Sequence, residues 1–365
     1  MNIRQMTRLA LVSTVWMGLS APVAHSAYLD DGSGITRDFA PPERRPPVLP
    51  PGDDNPLRRL VRRVEIGRPC TYGQLAVFPL ILRDTGDATD IRALDEALNR
   101  GWISIREQKQ ARVSEVVVWN ESRHPVFMMA GEILGGGRQD RIVRSDVLVR
   151  PTRDSVTVPV YCGEQDRWQG SRESFDSASH LAGQAMRSMA ARAASQDAIW
   201  SEIDHRLKES GASAPTRSYQ SMYSDRATGK RIDAVTERFR DIRTRRTVGL
   251  ILVDRGRIVG GDLFGDSGLC SSLWDKIVRS HAADFLPPSE HWPRDGEAVE
   301  SESAAARRFL DALSWTELAR ESTPGDGESF LLRGGVNGHA LVWNGRLVHA
   351  AVFSAGDMRP LPAIR

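Results

Sequence analysis

The sequence predicts an α+β fold, with a mostly antiparallel, β-rich N-terminal half packed with a C-terminal half of mixed helix and strand. Three observations carry this. Between 65 and 168, short apolar segments alternate with polar turns, with one helical pattern among them. From 177 to 242, apolar residues recur at helical spacing. From Val248 onward, strand and helix patterns are mixed to the end. Strands, then helices, then both together describe α+β architecture.

The segment 74–82 (QLAVFPLIL) reads as a buried strand, with Pro79 marking an edge or a bulge. A short helix follows, capped by Thr89 or Asp90, with Ile91, Leu94 and Leu98 on one face and Gly101 at its end. Strands are expected at 102–106, 115–119, 125–129, 142–149 and 155–161, with Asn120-Glu121-Ser122 as one of the turns. The segment 177–208 is rich in Ala, Met and Leu. Leu181, Ala185, Met189, Ile199, Ile203 and Leu207 approximate a helical stripe broken near Ser195, and Met186 and Met189 read as core. A polar loop is expected at 211–228, then a helix bearing Ile232, Val235, Phe239 and Ile242. Strand 248–253 turns at Asp254-Arg255-Gly256 and returns as 257–261. Asp266 or Ser267 caps a helix with Leu269, Leu273 and Ile277 inward and Trp274 flanking. A helix over 303–319 follows a Pro-rich loop. Strands 330–332, 340–343 and 347–353 close the chain, the last two joined at Asn344-Gly345, a type I′ hairpin signal.

At 365 residues, with 40% apolar and 26% charged residues, the chain can bury a core without metals or staples. A net charge of +2 gives no argument for nucleic acid as a partner. Arg4 and Arg8, then a mostly apolar run over 9–19, then small residues up to Ser26 and Ala27, read as a secretory signal peptide at 1–27. The run is well short of the ~20 residues that span a bilayer, so no membrane span is expected after cleavage. The expected location is periplasmic or secreted. A Pro-rich linker is expected at 28–64, with folding starting near 61–66. The globular region is expected at 65–365, with lobes of about 65–175 and 176–365. Cys70, Cys162 and Cys270 leave room for one disulfide and one thiol in an oxidising compartment, and three pairings stay open. Their spacing matches no zinc motif, so no metal is expected from it, and the sequence names no cofactor.

The chain is organised around 129–168. Gly135-Gly136-Gly137 can form a nest of backbone N–H groups beside Arg138 and Arg141, which suits an anion, or it is a hairpin loop with solvated arginines. Glu132 and Glu164 each follow an apolar run beside a glycine. They either converge as an acid/base pair or pair with Arg141 and Arg167 as structural ion pairs. Gln139 and Asp140 would orient a ligand, with Arg167 beside them. Trp168 would stack on a ring or cover the core edge. Cys162 is either a nucleophile with a lowered pKa or a small buried hydrophobe.

Gly131-Glu132-x-Leu134-x-Gly136-Gly137-x-Gln139-Asp140-Arg141, followed by Pro159-Val160-x-Cys162-x-Glu164-x-x-Arg167-Trp168, resembles the uncharacterised ADP-ribosylglycohydrolase-and-rhodanese-phosphatase-associated protein domain family. That name records associated domains, not an activity. The resemblance implies an α+β domain with a polar site and a link to nucleotide or ADP-ribose chemistry. The expected function is binding of a small anionic or polar ligand, with its hydrolysis as an extension. The alternative is a non-catalytic structural or interaction protein of the cell envelope.

Overall fold

Period-two burial builds the N-terminal half from strands: in Glu115–Asn120, Val116, Val118 and Asn120 are buried while their neighbours are partly exposed. The computed structural model describes residues 48–353 except 51, 53, 74, 85–87, 109–112, 168–172, 286–298 and 335. The segment 1–27, most of the linker expected at 28–64, and Trp168 lie outside the described residues.

A ten-stranded sheet starts at Val48–Leu49. It runs through Glu317–Glu321, Glu328–Arg333, Asn337–Trp343, Arg346–Phe353, Arg257–Phe264, Thr247–Asp254 and Leu75–Leu82 to Val64–Ile66. Cys70–Tyr72 also pairs with Leu75–Leu82, and every pairing is antiparallel. A six-stranded closed barrel comprises Arg141–Val143, Val156–Cys162, Glu115–Asn120, Ile103–Glu107, Ser174–Leu181 and Glu132–Gly136. A third sheet joins Val147–Val149, Val126–Met128 and Arg92–Ala93. The α+β class holds.

Three apolar clusters follow. Ile105, Val118, Leu134, Val158 and Phe175 fill the barrel. One face of the large sheet packs on the helices Pro56–Val61 and Val299–Leu313 through Leu57, Leu60, Phe309 and Leu313. Its other face packs on Gln184–Ala191, Arg226–Arg240 and Ser267–Asp284, and on the outer wall of the barrel, through Met186, Ile232, Leu273, Ile277, Ile133 and Tyr161. Met186 and Met189 are core residues.

Several boundaries differ from the sequence expectation. The Pro56–Val61 helix, capped by Asn55 and packed through Leu57 and Leu60, places folded structure ahead of 61–66. Pro79 is in an interior strand, opposite the gap between two short partners: Cys70–Tyr72 covers 75–77 and Val64–Ile66 covers 80–82. Its missing N–H therefore costs no ladder bond, while its carbonyl accepts from the Gly67 N–H at 2.8 Å. The helix expected from Thr89 begins at Leu94, because Arg92–Ala93 pairs in parallel with Val126–Met128. The strand expected at 142–149 is two strands separated by a turn holding Asp146. The start of the 177–208 stripe is a strand, since Ser174–Leu181 closes the barrel against Glu132–Gly136. The break at Ser195 is present, with its hydroxyl capping Gln196–Ser210. The helix expected at 303–319 ends at Leu313, and Glu317–Glu321 joins the sheet instead. Where a strand replaces or shortens an expected helix, long-range pairing outweighs local periodicity.

Asp266 caps Ser267–Asp284 as expected, its Oδ1 accepting from Leu269 N–H at 2.8 Å. Asn344 and Gly345 have φ of 50° and 69°, the geometry of a type I′ turn. None of the three cysteines is in a disulfide.

Candidate functional site

The backbone N–H groups of the central glycine run do not converge on one anion: each meets a different acceptor of this chain, Gly137 N–H donating to the Ser174 carbonyl at 3.1 Å. Gly136 N–H donates to Asp140 Oδ1 at 3.2 Å and Arg138 N–H donates to Glu107 Oε1 at 2.8 Å. Arg167 bridges Glu164 Oε2 (2.8 Å) and Asp140 Oδ1 (3.0 Å), and also donates to the Gly136 and Gly137 carbonyls. Ser218 donates to Asp140 Oδ2 at 2.9 Å. Arg141 is buried against Glu107 at 3.4 Å, with Gln139 Oε1 at 3.3 Å and Cys162 Sγ at 3.6 Å. Gln139 Nε2 donates to the Glu164 carbonyl at 2.9 Å. The structure thus brings Gln139, Asp140, Arg141, Glu164 and Arg167 together as a closed network, while the Arg138 side chain is exposed. Burial pushes the Cys162 thiol up, against the pull of Arg141, which is the opposite of an activated nucleophile.

Glu132 goes elsewhere. The turn at 129–132 commits its backbone in several directions: Met129 N–H to Glu132 Oε2 (2.9 Å), Ala130 N–H to Asp146 Oδ1 (2.8 Å), and Gly131 N–H to the Val143 carbonyl (2.8 Å). Gly131 has φ of +94°, and a Cβ there would lie 2.7 Å from Arg187 Cγ, so both conformation and space require glycine. Two buried ionic groups meet this turn from different directions.

The first is Glu132, Lys276 and Asp95. Lys276 Nζ lies 2.6 Å from Glu132 Oε1 and 2.6 Å from Asp95 Oδ1, and Ser177 donates to the same Asp95 oxygen at 2.5 Å. Burial raises the Glu132 pKa, opposed by Lys276 and assisted by Asp95. Burial would lower Lys276, but Glu132 and then Asp95 outweigh it and its pKa is raised.

The second runs through the large sheet. His349 Nδ1 lies 2.6 Å from Asp146 Oδ2, and its Nε2 lies 3.2 Å from Asp262 Oδ1. Arg187 holds Asp262 through both guanidinium nitrogens, one at 3.2 Å. His281 Nε2 is 3.7 Å from Asp262 and His339 Nε2 is 3.6 Å from Asp146, both too long for hydrogen bonds. Burial favours a neutral Asp262, but Arg187 together with the neighbouring His281 and His349 outweighs it and holds the carboxyl well below its ordinary range. Asp146 is likewise held low, its burial outweighed by His349 and His339. Asp146, His339 and His349 bring three metal-type donors within 4.8 Å of one another.

The sheet register puts these histidines on one face. Val342 pairs with Leu347 but Leu341 pairs with His349, so Val348 is the extra residue of a β-bulge. Without it the pairing would slip by one and His349 would face away from His339. Spacing gave no sign of this. The available signal was a lone polar residue in an apolar run: His349 among Val348, Ala350 and Val352, Asp262 beside Leu263 and Phe264, and Lys276 between Leu273 and Ile277.

His180 stacks on Tyr223, with ring centroids 4.2 Å apart. Burial and then Arg279 push it down to about 4. The unfolded chain takes up this proton below an ordinary value of about 6.5 and the folded chain only near 4, so stability falls as pH drops through that window. His180→Phe should flatten the stability profile there. Urea midpoints of both proteins across the window check this, and parallel profiles would show that His180 is not the group involved.

A cleft of about 400 Å³ opens between residues 88–91, the start of the Ser267–Asp284 helix and the 343–348 hairpin. Trp343, Leu269, Ile91 and Arg346 line it, with Asp266 and Thr89. Thr89 Oγ1 is buried with no hydrogen-bond partner. A neighbouring hollow of about 220 Å³ shares Thr89, Arg346 and Leu347 and adds Arg59 and Arg63.

One family model, described as the ARG and Rhodanese-Phosphatase-superfamily-associated Protein domain (ARPP-1), matches residues 63–353. Comparison with curated proteins and with solved structures gives no match.

Proposed function

The chain belongs to the ARPP-1 family, and from that premise we propose an exported protein that binds a small anionic ligand with a ring, of the nucleotide or ADP-ribose class, in the Thr89–Trp343 cleft. One observation carries the reading: an aromatic face, an unpartnered buried hydroxyl and Arg346 line a cleft of ligand size. Trp343 supplies a stacking surface and Arg346 a charge for phosphate, with Arg59 and Arg63 on the adjoining hollow. The 131–141 and 159–167 motifs then serve as the lock of the barrel, because Asp140, Glu164 and Arg167 pair with one another and Arg141 pairs with Glu107. Export rests on the segment at 1–27; N-terminal sequencing of the secreted chain should begin at Ala27 or Tyr28, and an intact Met1 end would contradict it.

Calorimetric titration of the full chain with ADP-ribose and with ADP tests the ligand. Saturable binding is expected, weakened about 5- to 150-fold by Trp343→Ala, the equivalent of losing one ring stack of about 1–3 kcal/mol. Arg346→Glu should weaken it further, and Glu164→Gln should leave it unchanged. The cleft reading fails if neither compound binds, or if the Trp343 and Arg346 variants bind like the parent. An absence of binding favours the alternative, a structural protein of the cell envelope.

A further inference from the structure

We propose that Asp146, His339 and His349 form a binding site for a divalent transition-metal ion. None of the three lines the Thr89–Trp343 cleft, and the proposal does not rest on the ligand reading. One donor atom from each residue lies within 4.8 Å of the others. Two imidazoles and one carboxylate suit zinc and its first-row neighbours, whereas magnesium and calcium favour all-oxygen sets.

Two further observations point the same way. Nε2 of His339 is buried and makes no hydrogen bond, although Asp146 Oδ1 is only 3.6 Å away. A buried imidazole nitrogen left without a partner is costly, and a cation between it and the carboxylate removes that cost. The other two donors are already held from behind, as metal ligands are. His349 is bonded through Nε2 to Asp262, which Arg187 grips, so its Nδ1 faces Asp146. Asp146 is itself fixed by the Ala130 N–H at 2.8 Å. Carboxylate-to-imidazole bonds of this kind set the tautomer and aim of a ligating histidine.

Asp146 and Asp262 bring two negative charges into the core, Arg187 supplies one fixed positive charge, and His349 lies between the two carboxylates, so an ion bound at its Nδ1 would displace the proton there. His349 Nδ1 and Asp146 Oδ2 stand 2.6 Å apart. Ligand atoms at about 2.0–2.1 Å from a tetrahedral ion lie roughly 3.3 Å from one another, so the pair must part by several tenths of an ångström. Three protein ligands leave a fourth position for water or a ligand oxygen, the arrangement of reactive sites and not of sealed structural ones.

The test uses the full chain, free of affinity histidines and stripped with a chelator. Zn²⁺ alone is titrated by calorimetry, and Co²⁺ alone by visible absorption. One equivalent of each is expected, with ligand-field bands for cobalt that zinc abolishes. His339→Ala should weaken Zn²⁺ binding roughly 100-fold or more, exceeding the effect usual for a residue that only orients a ligand. That variant should fold, since His339 Nε2 makes no hydrogen bond to lose, and circular dichroism checks this. Asp146→Asn gives a second reading should His339→Ala fail to fold. The proposal is overturned if the chain takes up no stoichiometric Zn²⁺, or if the folded variants bind it as tightly as the parent.

Discussion

Arg187→Met is expected to lower the unfolding free energy by about 3–5 kcal/mol. Arg187 and Asp262 are each 0% exposed, and the guanidinium grips the carboxylate through both terminal nitrogens. Removing the cation strands a carboxylate that water cannot reach. His349 remains 3.2 Å away but is already shared with Asp146. The cost is that of the stranded charge, not the worth of the pair, so Arg187→Met/Asp262→Asn should recover much of the loss. Chemical denaturation of parent, single and double variants measures this. A single-variant loss below about 1 kcal/mol, the range of exposed ion pairs, would show that the centre is hydrated.

Lys276→Met should cost a similar amount, about 3–5 kcal/mol, for a related reason. Lys276 is 5% exposed and Glu132 1%, while Asp95 is 29% exposed. Asp95 can turn to water once the ammonium is gone; Glu132 cannot. Glu132→Gln in the Lys276→Met background should therefore restore most of the stability, and Asp95→Asn should restore little. Equal rescue by both would mean that the two carboxylates are equally trapped, contrary to their exposure. Arg187 and Glu132 both meet the turn at 129–132, so losses from the two ionic groups should not simply add.

Local chemistry made much of the fold legible. Asp266 before an apolar stripe marked a helix start, Ser195 marked a break, and Asn344-Gly345 marked a hairpin, because capping and positive φ are satisfied within a few residues. The Ser174–Leu181 and Glu317–Glu321 strands were not legible, because their partners in the sheets and not their own periodicity decide them. The candidate site divides the same way. The 129–141 stretch stood out through its glycines and charges, and Gly131 and Glu132 do sit at the turn where the two buried ionic groups meet. Their partners were out of reach of any spacing argument.

By itself the sequence determined the α+β class, most strands and helices, and that 129–168 carries clusters of glycines and charged residues at strand ends. The tertiary structure alone decided which charges meet. Arg167 was given to Asp140 and Glu164, Glu132 to Lys276, and Asp146 to a histidine 203 residues away. The reason is geometric. Turns and caps are settled by neighbours in the chain, but which face of a sheet a side chain occupies depends on register, and the single extra residue at Val348 places His349 beside His339.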